Sequence, residues 1–317
     1  MTEAVMSYEA RVDALRRALL AAPKDAPVRL RKRTSNLFRP RDRAASPLDA
    51  DGFSGVLSID VQRRTADVGG MTTYEDLVDA TLPHGLMPLV VPQLKTITLG
   101  GAVTGLGIES SSFRNGCPHE SVLEMDVLTG AGEVVTATPD GEHRDLFYGF
   151  PNSYGSLGYA LRIRIELEPV APFVHLRHVR FTRIADAVAA IERICADPTW
   201  NGEPVHFLDG MWCARDEVYL TLGSWSESAP FVSDYTGRDV YWKLVALERR
   251  YQVKGRIDAA RGKPDMEYVI QDIEVPLARL GEFLDFLNRQ TAMSPVWLCP
   301  LRQRDETRSW QLYPLDP

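Results

Sequence analysis

The sequence predicts an α+β protein built in two parts. Three observations carry that expectation. Strand-like alternation and helix-like spacing occur in both halves, but in different rhythms. Pro169 and Pro172 punctuate the middle of the chain. A glycine-rich stretch, Gly100 to Gly116, is confined to the first half. At 317 residues the chain suits two domains of ordinary size or one large one. We place the boundary between residues 1–170 and residues 171–317.

Composition removes several classes. Apolar residues make up 44% and charged residues 25%, which excludes collagen-like, low-complexity and wholly disordered chains. A net charge of −7 argues against a general nucleic-acid binder. No window holds eighteen apolar residues in a row, so no transmembrane helix is expected. Met1 to Ala10 lacks the basic start and apolar run of a secretory signal. Cys117, Cys195, Cys213 and Cys299 lie far apart and form no CxxC pair. They read as reduced thiols in a cytoplasmic protein rather than as a disulfide frame or a zinc site.

The elements follow in order. Val12, Leu15, Leu19 and Leu20 recur at helical spacing over Tyr8 to Ala22, and Pro23 and Pro27 end that helix. Val28 to Lys32 alternates as a short strand, broken by Thr34-Ser35-Asn36. Gly55 to Val61 and Thr65 to Val68 read as adjoining strands. Thr72-Thr73-Tyr74-Glu75 predicts a capping box from Thr72 to Glu75, opening a helix over Tyr74 to Leu82. Leu86 to Val91 is a short apolar run closed by Pro92. Val122 to Thr129 and Glu133 to Ala137 form a hairpin about Gly130-Ala131-Gly132, with Leu123, Met125 and Val127 on one face. Ala160 to Leu167 alternates Leu161, Ile163, Ile165 and Leu167 against charged residues.

In the second half, Phe173 to Phe181 is a strand. Ile184 to Cys195 is a helix with Ile184, Val188, Ile191 and Cys195 on one face. Pro204 to Cys213 and Val218 to Ser224 pair as strands. Tyr268 to Val275, Leu277 to Asn288 and Val296 to Leu301 read as strand, helix and strand. This order predicts an antiparallel sheet covered by helices.

Three patches could carry chemistry. Gly100, Gly101, Gly105, Gly107 and Gly116 fall within seventeen residues. Glycine lets a ligand approach the backbone, and consecutive free amides make an anion nest. The spacing fits neither a Rossmann fingerprint nor a Walker loop, and a tight structural bend explains the cluster equally well. The basic run Arg29, Arg31, Lys32, Arg33, Arg39, Arg41 and Arg43 reads as a phosphate loop with Thr34, Ser35 and Asn36 as donors, or as a solvated basic face. The third patch is Asp145-Leu146-Phe147-Tyr148-Gly149 followed by Asn152 to Gly158. The six histidines form no ligand set; His175 and His178, three apart in a strand, fall on opposite faces. No metal site and no nucleophile elbow is present.

Taken in this order, the patches resemble the FAD-binding domain of the p-cresol methylhydroxylase / vanillyl-alcohol oxidase superfamily (PCMH-type). The quoted order is a basic strand and polar loop, a capped helix, Thr98-Leu99-Gly100-Gly101, Gly105-x-Gly107, a hairpin, Asp145-Leu146-Phe147, and Gly155-x-x-Gly158. Gly107-Ile108-Glu109-Ser110-Ser111-Ser112, Asp145-Leu146-Phe147-Tyr148 and Trp297-Leu298-Cys299-Pro300-Leu301 are similar to the sterol Δ24-reductase (Diminuto-like) branch. The resemblance implies a two-subdomain FAD-binding domain followed by an antiparallel-sheet-plus-helices substrate domain, incomplete at the C-terminus. It implies that Arg33, Thr34, Ser35, Asn36 and Leu37 contact the FAD pyrophosphate. It implies that Thr98, Gly100, Gly101, Gly105, Leu106, Gly107, Ile108 and Ser111 surround the pyrophosphate and flavin, with backbone amides as donors. Gly155, Leu157 and Gly158 fall near the adenosine end.

Covalent attachment in such oxidases uses histidine or cysteine in these loops, which this chain lacks at the usual positions, so non-covalent FAD is expected. The implied activity is an FAD-dependent oxidoreductase reducing or dehydrogenating a C=C/C–C bond of a small lipophilic, sterol-like substrate, with NADPH as electron donor. Glu109 and Tyr154 are the candidate proton donors because they lie in flavin-loop segments. No nucleic-acid partner is expected, and contact with the membrane is peripheral at most. Two alternatives stand beside this reading: an FAD oxidase or dehydrogenase of a polyol, sugar or alcohol, and a flavin-binding remnant without turnover.

Overall fold

The computed structural model describes residues 6–23, 27–32, 46–228, 272–291 and 293–315. Ser7 caps α1 (Tyr8–Ala21), its hydroxyl accepting the Ala10 amide at 3.2 Å. The apolar side of α1 buries Leu15 with Leu48, Phe53 and Leu161. β1 (Val28–Arg31) pairs in parallel with β2 (Ser46–Asp49). Pro47 and the polar flanks of β2 leave no alternation for sequence reading to detect.

The larger sheet has six strands. β3 (Val56–Asp60), β4 (Thr65–Gly69), β8 (Tyr159–Pro169), β6 (Val122–Leu128) and β7 (Val134–Ala137) follow one another, and β5 (Leu86–Pro88) pairs with the end of β8. All of these pairs are antiparallel. A bulge at Leu123 turns Val122, rather than Leu123, into the core beside Met125 and Val127. That core also takes Ile163 and Ile165 from β8, Tyr74 and Leu77 from α2 (Tyr74–Thr81), and Leu99 and Val103 from α3 (Leu99–Gly105). On the opposite face of β8, Arg162 donates to Asp67 at 2.5 Å, Asp126 at 2.7 Å and Glu124, so its charge is fully paired.

The cap of α2 is one residue later than the sequence predicts. Thr73 Oγ1 accepts the Asp76 amide at 3.2 Å. Thr72 is buried, donates to Gly69 O at 2.6 Å and receives the Gly55 amide at 2.8 Å. Glu75 pairs with Lys95. Two adjacent threonines offered the same motif, and the tertiary contacts of Thr72 decided between them.

The second sheet is antiparallel, in the order β14 (Val296–Leu298), β12 (Phe207–Ala214), β13 (Glu217–Ser226), β9 (Phe173–Phe181). A small hairpin, β10 (Thr199–Trp200) and β11 (Glu203–Pro204), lies in the chain between α6 and β12. α6 (Ile184–Ala196) and α7 (Leu280–Thr291) cover one face. The buried side of α6 is Ala187, Ala190, Ile191 and Ile194, rotated from the predicted stripe because Val188 and Cys195 sit at its edge. The strand predicted over Tyr268 to Val275 falls mostly outside the described residues, and residues 272–275 are not in a strand. The fold is thus α+β, as the sequence predicts.

The last strand ends at Leu298, short of the predicted Leu301, and residues 302–315, which sequence reading left without an element, run back over the first sheet. Trp310 and Tyr313 join its core, and the His119 ring meets Trp310 edge-on with centroids 4.4 Å apart.

Candidate cofactor and active site

The glycine cluster begins as a helix, not a loop. Thr98 caps α3, and its hydroxyl accepts both the Gly101 amide at 3.3 Å and Lys32 Nζ at 3.0 Å. The Leu99 amide donates to Thr72 O and the Gly100 amide to Gly70 O, each at 2.8 Å. The amides of Gly100 and Gly101 are therefore engaged inside the chain. Gly100 is small for another reason: a Cβ there would stand 2.7 Å from Gly70 O. α3 is thereby held directly on the backbone between β4 and α2.

The cluster opens after α3. Leu106 ends the helix at φ +59°, a conformation costly for a residue with a Cβ and retained where the surroundings enforce it. Gly107 and Ile108 follow in a half-exposed run, Thr104 to Ser110. Among the described residues the Gly107 and Ile108 amides have no hydrogen-bond partner. Gly107 packs against Pro118 and Pro92, at 3.3 and 3.7 Å from its would-be Cβ. Ser111 is buried, donating to Leu89 O at 2.8 Å. α4 (Ser112–Asn115) follows.

The third patch folds against the same helix. α5 (Arg144–Gly149) buries Phe147 in the first core. Beyond it the Tyr154 amide donates to Thr104 O at 3.1 Å, and the tyrosine ring lies 3.7 Å from where a Gly105 Cβ would be. Tyr154 is 73% exposed and Leu157 38% exposed, an uncovered apolar surface next to α3. Gly158, at φ +133°, could carry no Cβ without meeting Leu128 O at 2.4 Å. The structure therefore gathers Lys32, Thr98, Gly105, Leu106 to Ile108, Tyr154 and Leu157 around α3. Arg33 to Leu37, predicted to form the phosphate loop, lie outside the described residues, directly after Lys32.

The fit to a dinucleotide flavin rests on this cradle. A cation at Lys32, paired free amides at Gly107 and Ile108, and bare or apolar surface at Gly105, Tyr154 and Leu157 offer what a pyrophosphate and an aromatic ring system need. When bound, a flavin would supply two-electron chemistry at this surface.

The second sheet meets this segment through backbone and side-chain bonds. The Leu208 amide donates to Ser110 O at 2.7 Å. Arg114 clamps Glu168 through two bonds of 2.8 and 2.9 Å and donates to His206 O at 2.9 Å. Strand alternation leaves the helix-free face of the second sheet with Leu176, Trp225, Phe207, Met211 and Trp297 at apolar positions. His178, Thr221 and Asp209 lie side by side across that face, one on each of β9, β13 and β12. Burial pushes the Glu109 carboxyl up to about 7, despite bonds from the Gln93 and Ser110 amides, and the Asp209 charge adds to the rise. Burial also raises Asp209, against hydrogen bonds from Trp297 and Thr221. These second-domain partners were not legible in sequence, because only strand register brings them together. Among the described residues no group of three metal-ligating side chains occurs, and no helix is long and apolar enough to cross a membrane.

A family model described as an FAD binding domain matches residues 7–138. The chain is 25% identical to the Delta(24)-sterol reductase of Arabidopsis thaliana over 327 residues, covering 84% of this chain and 58% of that protein. It is 24% identical to the Homo sapiens Delta(24)-sterol reductase over 302 residues, covering 77% of this chain and 57% of that protein. Cytokinin dehydrogenase 6 of Oryza sativa subsp. japonica is 41% identical over 119 residues, 38% of this chain and 21% of that protein. The chain thus spans under three fifths of the length of the sterol reductases it matches. α3 and its glycines lie inside the segment that is similar to the FAD binding domain.

Proposed function

We propose that this protein is an FAD-dependent oxidoreductase that reduces a C=C bond in a lipophilic, sterol-like substrate. The observation that carries the reading is the apolar, helix-free sheet face of the second domain set over the Leu106–Glu109 segment of an FAD-binding domain. A lipophilic substrate would lie between the two. The sterol reductases match across both domains, which supports this substrate class. We assign residues 1–170 to the FAD domain and residues 171–317 to a substrate domain. FAD would be held non-covalently, its pyrophosphate by Lys32 and the Arg33–Leu37 segment, and its flavin along Gly105, Leu106, Gly107 and Ile108. The Gly155, Leu157 and Gly158 segment would meet the adenosine end. NADPH is the electron donor in this reading, and the protein works in the cytoplasm.

The test is anaerobic reduction of the bound flavin by NADPH, followed by reoxidation with a side-chain-unsaturated sterol. Rapid reduction and sterol-dependent reoxidation support the proposal. Reduction by an alcohol alone would replace it with a dehydrogenase, the reading that the cytokinin dehydrogenase likeness of the FAD segment favours. Protein that retains no FAD would overturn both.

A further inference from the structure

Saturating a C=C bond consumes a hydride and a proton. In the reading above, a bound reduced flavin would supply the hydride to one carbon, with a reduced nicotinamide as the source of its electrons. The π electrons then bond the second carbon to a proton that the protein must provide. We propose that Glu109 delivers this proton and that Asp209, Thr221 and His178 form the path that recharges it from solvent.

Four observations support the path. First, Glu109 lies two residues beyond Gly107, and its Oε1 is fixed by the Gln93 amide at 2.6 Å. The carboxyl is therefore oriented at the end of the flavin segment rather than free to rotate. Second, the Leu208–Ser110 backbone bond brings Asp209, the next residue of β12, beside the same segment. Burial is the main cause of the raised Glu109 carboxyl, and the Asp209 charge adds to it. Third, the register aligns Asp209 with Thr221 and Thr221 with His178 on adjacent strands. His178 Nδ1 lies 3.1 Å from Thr221 Oγ1, and the Thr221 hydroxyl bonds the Asp209 carboxyl.

A carboxylate can only accept, and a hydroxyl has one hydrogen to give. Thr221 must therefore donate to Asp209 and accept from His178 Nδ1–H. The chain of donors runs in one direction, from the exposed imidazole inward. Fourth, the surrounding face is apolar, with Phe207 and Trp225 rings packed edge-on at 4.9 Å, so a polar line through it is the ready route for a proton.

Other groups face this cluster. Cys299 and Asp272 lie near it, and the Cys299 thiol is raised by burial and then by Glu109, Asp209 and Asp272. It keeps its proton at neutral pH and stays outside the path. In each turnover the Glu109 O–H bond breaks as the substrate C–H bond forms. As a solvent proton reaches Nε2 of His178, its Nδ1 proton passes to Thr221 while Thr221 gives its own to the Asp209 carboxylate; Asp209, now protonated, passes that proton to the Glu109 carboxylate and returns to its ionised form.

The inference rests on the proposed reaction, so its test separates the two. Infrared difference titration of FAD-loaded protein reads the carboxyl protons without any turnover. A protonated-carboxyl band persisting to about pH 7 is expected, absent in Glu109→Gln and moved to lower pH in Asp209→Asn. No such band, or one that neither substitution alters, overturns the inference whatever the substrate proves to be. In turnover with an unsaturated sterol, Glu109→Gln should slow single-turnover flavin reoxidation about a hundredfold. His178→Ala and Thr221→Val should leave the first turnover intact and slow later ones about tenfold. Added imidazole should restore the first variant and not the second. Equal multiple-turnover rates for wild type and Thr221→Val would overturn the path. If wild type fails to reoxidise with any unsaturated sterol, the proposed reaction fails, and the infrared titration still decides the proton pair.

Discussion

Gly100→Ala tests how the cofactor cradle is built. The added Cβ would lie 2.7 Å from Gly70 O and 3.4 Å from its carbon. Ordinary contact needs roughly half an ångström more, and the obstacle is backbone, which cannot rotate away. Either α3 shifts off β4, or the 2.8 Å bond from the Gly100 amide to Gly70 O lengthens and fails. Overpacking of this kind costs about 1–3 kcal/mol. At about 2–4 °C per kcal/mol for a domain of this order, the melting temperature should fall by several degrees. Because α3 carries Leu106 and Gly107 at its end, FAD affinity should fall with it. Gly130→Ala is the control, since nothing lies within 4 Å of its would-be Cβ. Thermal unfolding and titration of apo-protein with FAD measure both effects. If Gly100→Ala matched Gly130→Ala in melting temperature and FAD affinity, the close approach of α3 to Gly70 would be wrong.

The remaining expectations concern separate parts of the molecule. Gly105→Val should fold, because nothing is closer than 3.7 Å to its Cβ, yet weaken FAD binding about tenfold by occupying the cradle surface, as flavin fluorescence would show. Arg114→Met should destabilise by about 2–4 kcal/mol in urea unfolding, because it leaves the mostly buried Glu168 carboxylate without its clamp. Burial pushes the unpartnered His119 imidazole down to about 3. The unfolded chain protonates this histidine below about pH 6.5 and the native one does not, so stability should fall by up to about 1.4 kcal/mol per pH unit as pH drops from 6.5 towards 3. His119→Leu should flatten that slope in urea midpoints measured against pH; an unchanged slope would place the linkage elsewhere. Burial raises Asp67 and Asp126, but bonds from Arg164 and Arg162 overcome it and leave both carboxyls below their ordinary range. Their contribution is present above about pH 4 and lost as pH falls further, and Arg162→Met should remove it.

Local signals were read well where a single strand or helix decided them. β8 alternates because one face meets the core while Arg162 and Arg164 meet carboxylates on the other. α1 was legible from spacing, and α2 from a threonine cap read one residue too early. What sequence could not give was set by neighbours far along the chain. The Thr72/Thr73 cap was decided by Gly55 and Gly69, and β2 by its parallel partner. Within the glycine cluster, the residue type had one appearance and several causes. Gly100 serves backbone contact, Gly107 serves packing on prolines, and Gly105 leaves surface bare. His178 read as an exposed or structural histidine, and its exposure holds; its line to Asp209 exists only through the register of three strands.

That dependence on register gives the domain junction a chemical role. Glu109 follows α3, which packs on the first sheet, and Asp209 lies on β12 of the second; one backbone bond, Leu208 to Ser110, brings the two segments together. Around it stand the Arg114 clamp, and Arg304, which pairs with Glu166 while its amide donates to Glu120 at 2.7 Å. Single surface ion pairs contribute little, but Arg114 and Glu168 are mostly buried and doubly bonded, so they hold position as well as charge. A displacement of β12 that let water in would relieve the burial that mainly raises Glu109 and would also weaken the smaller contribution of the Asp209 charge, because interaction between charges falls as separation and dielectric rise. Arg114→Met should therefore lower the pH at which the Glu109 carboxyl ionises, though it touches neither carboxylate. An unchanged titration in a destabilised Arg114→Met protein would mean that the Leu208–Ser110 bond alone holds the two carboxyls together.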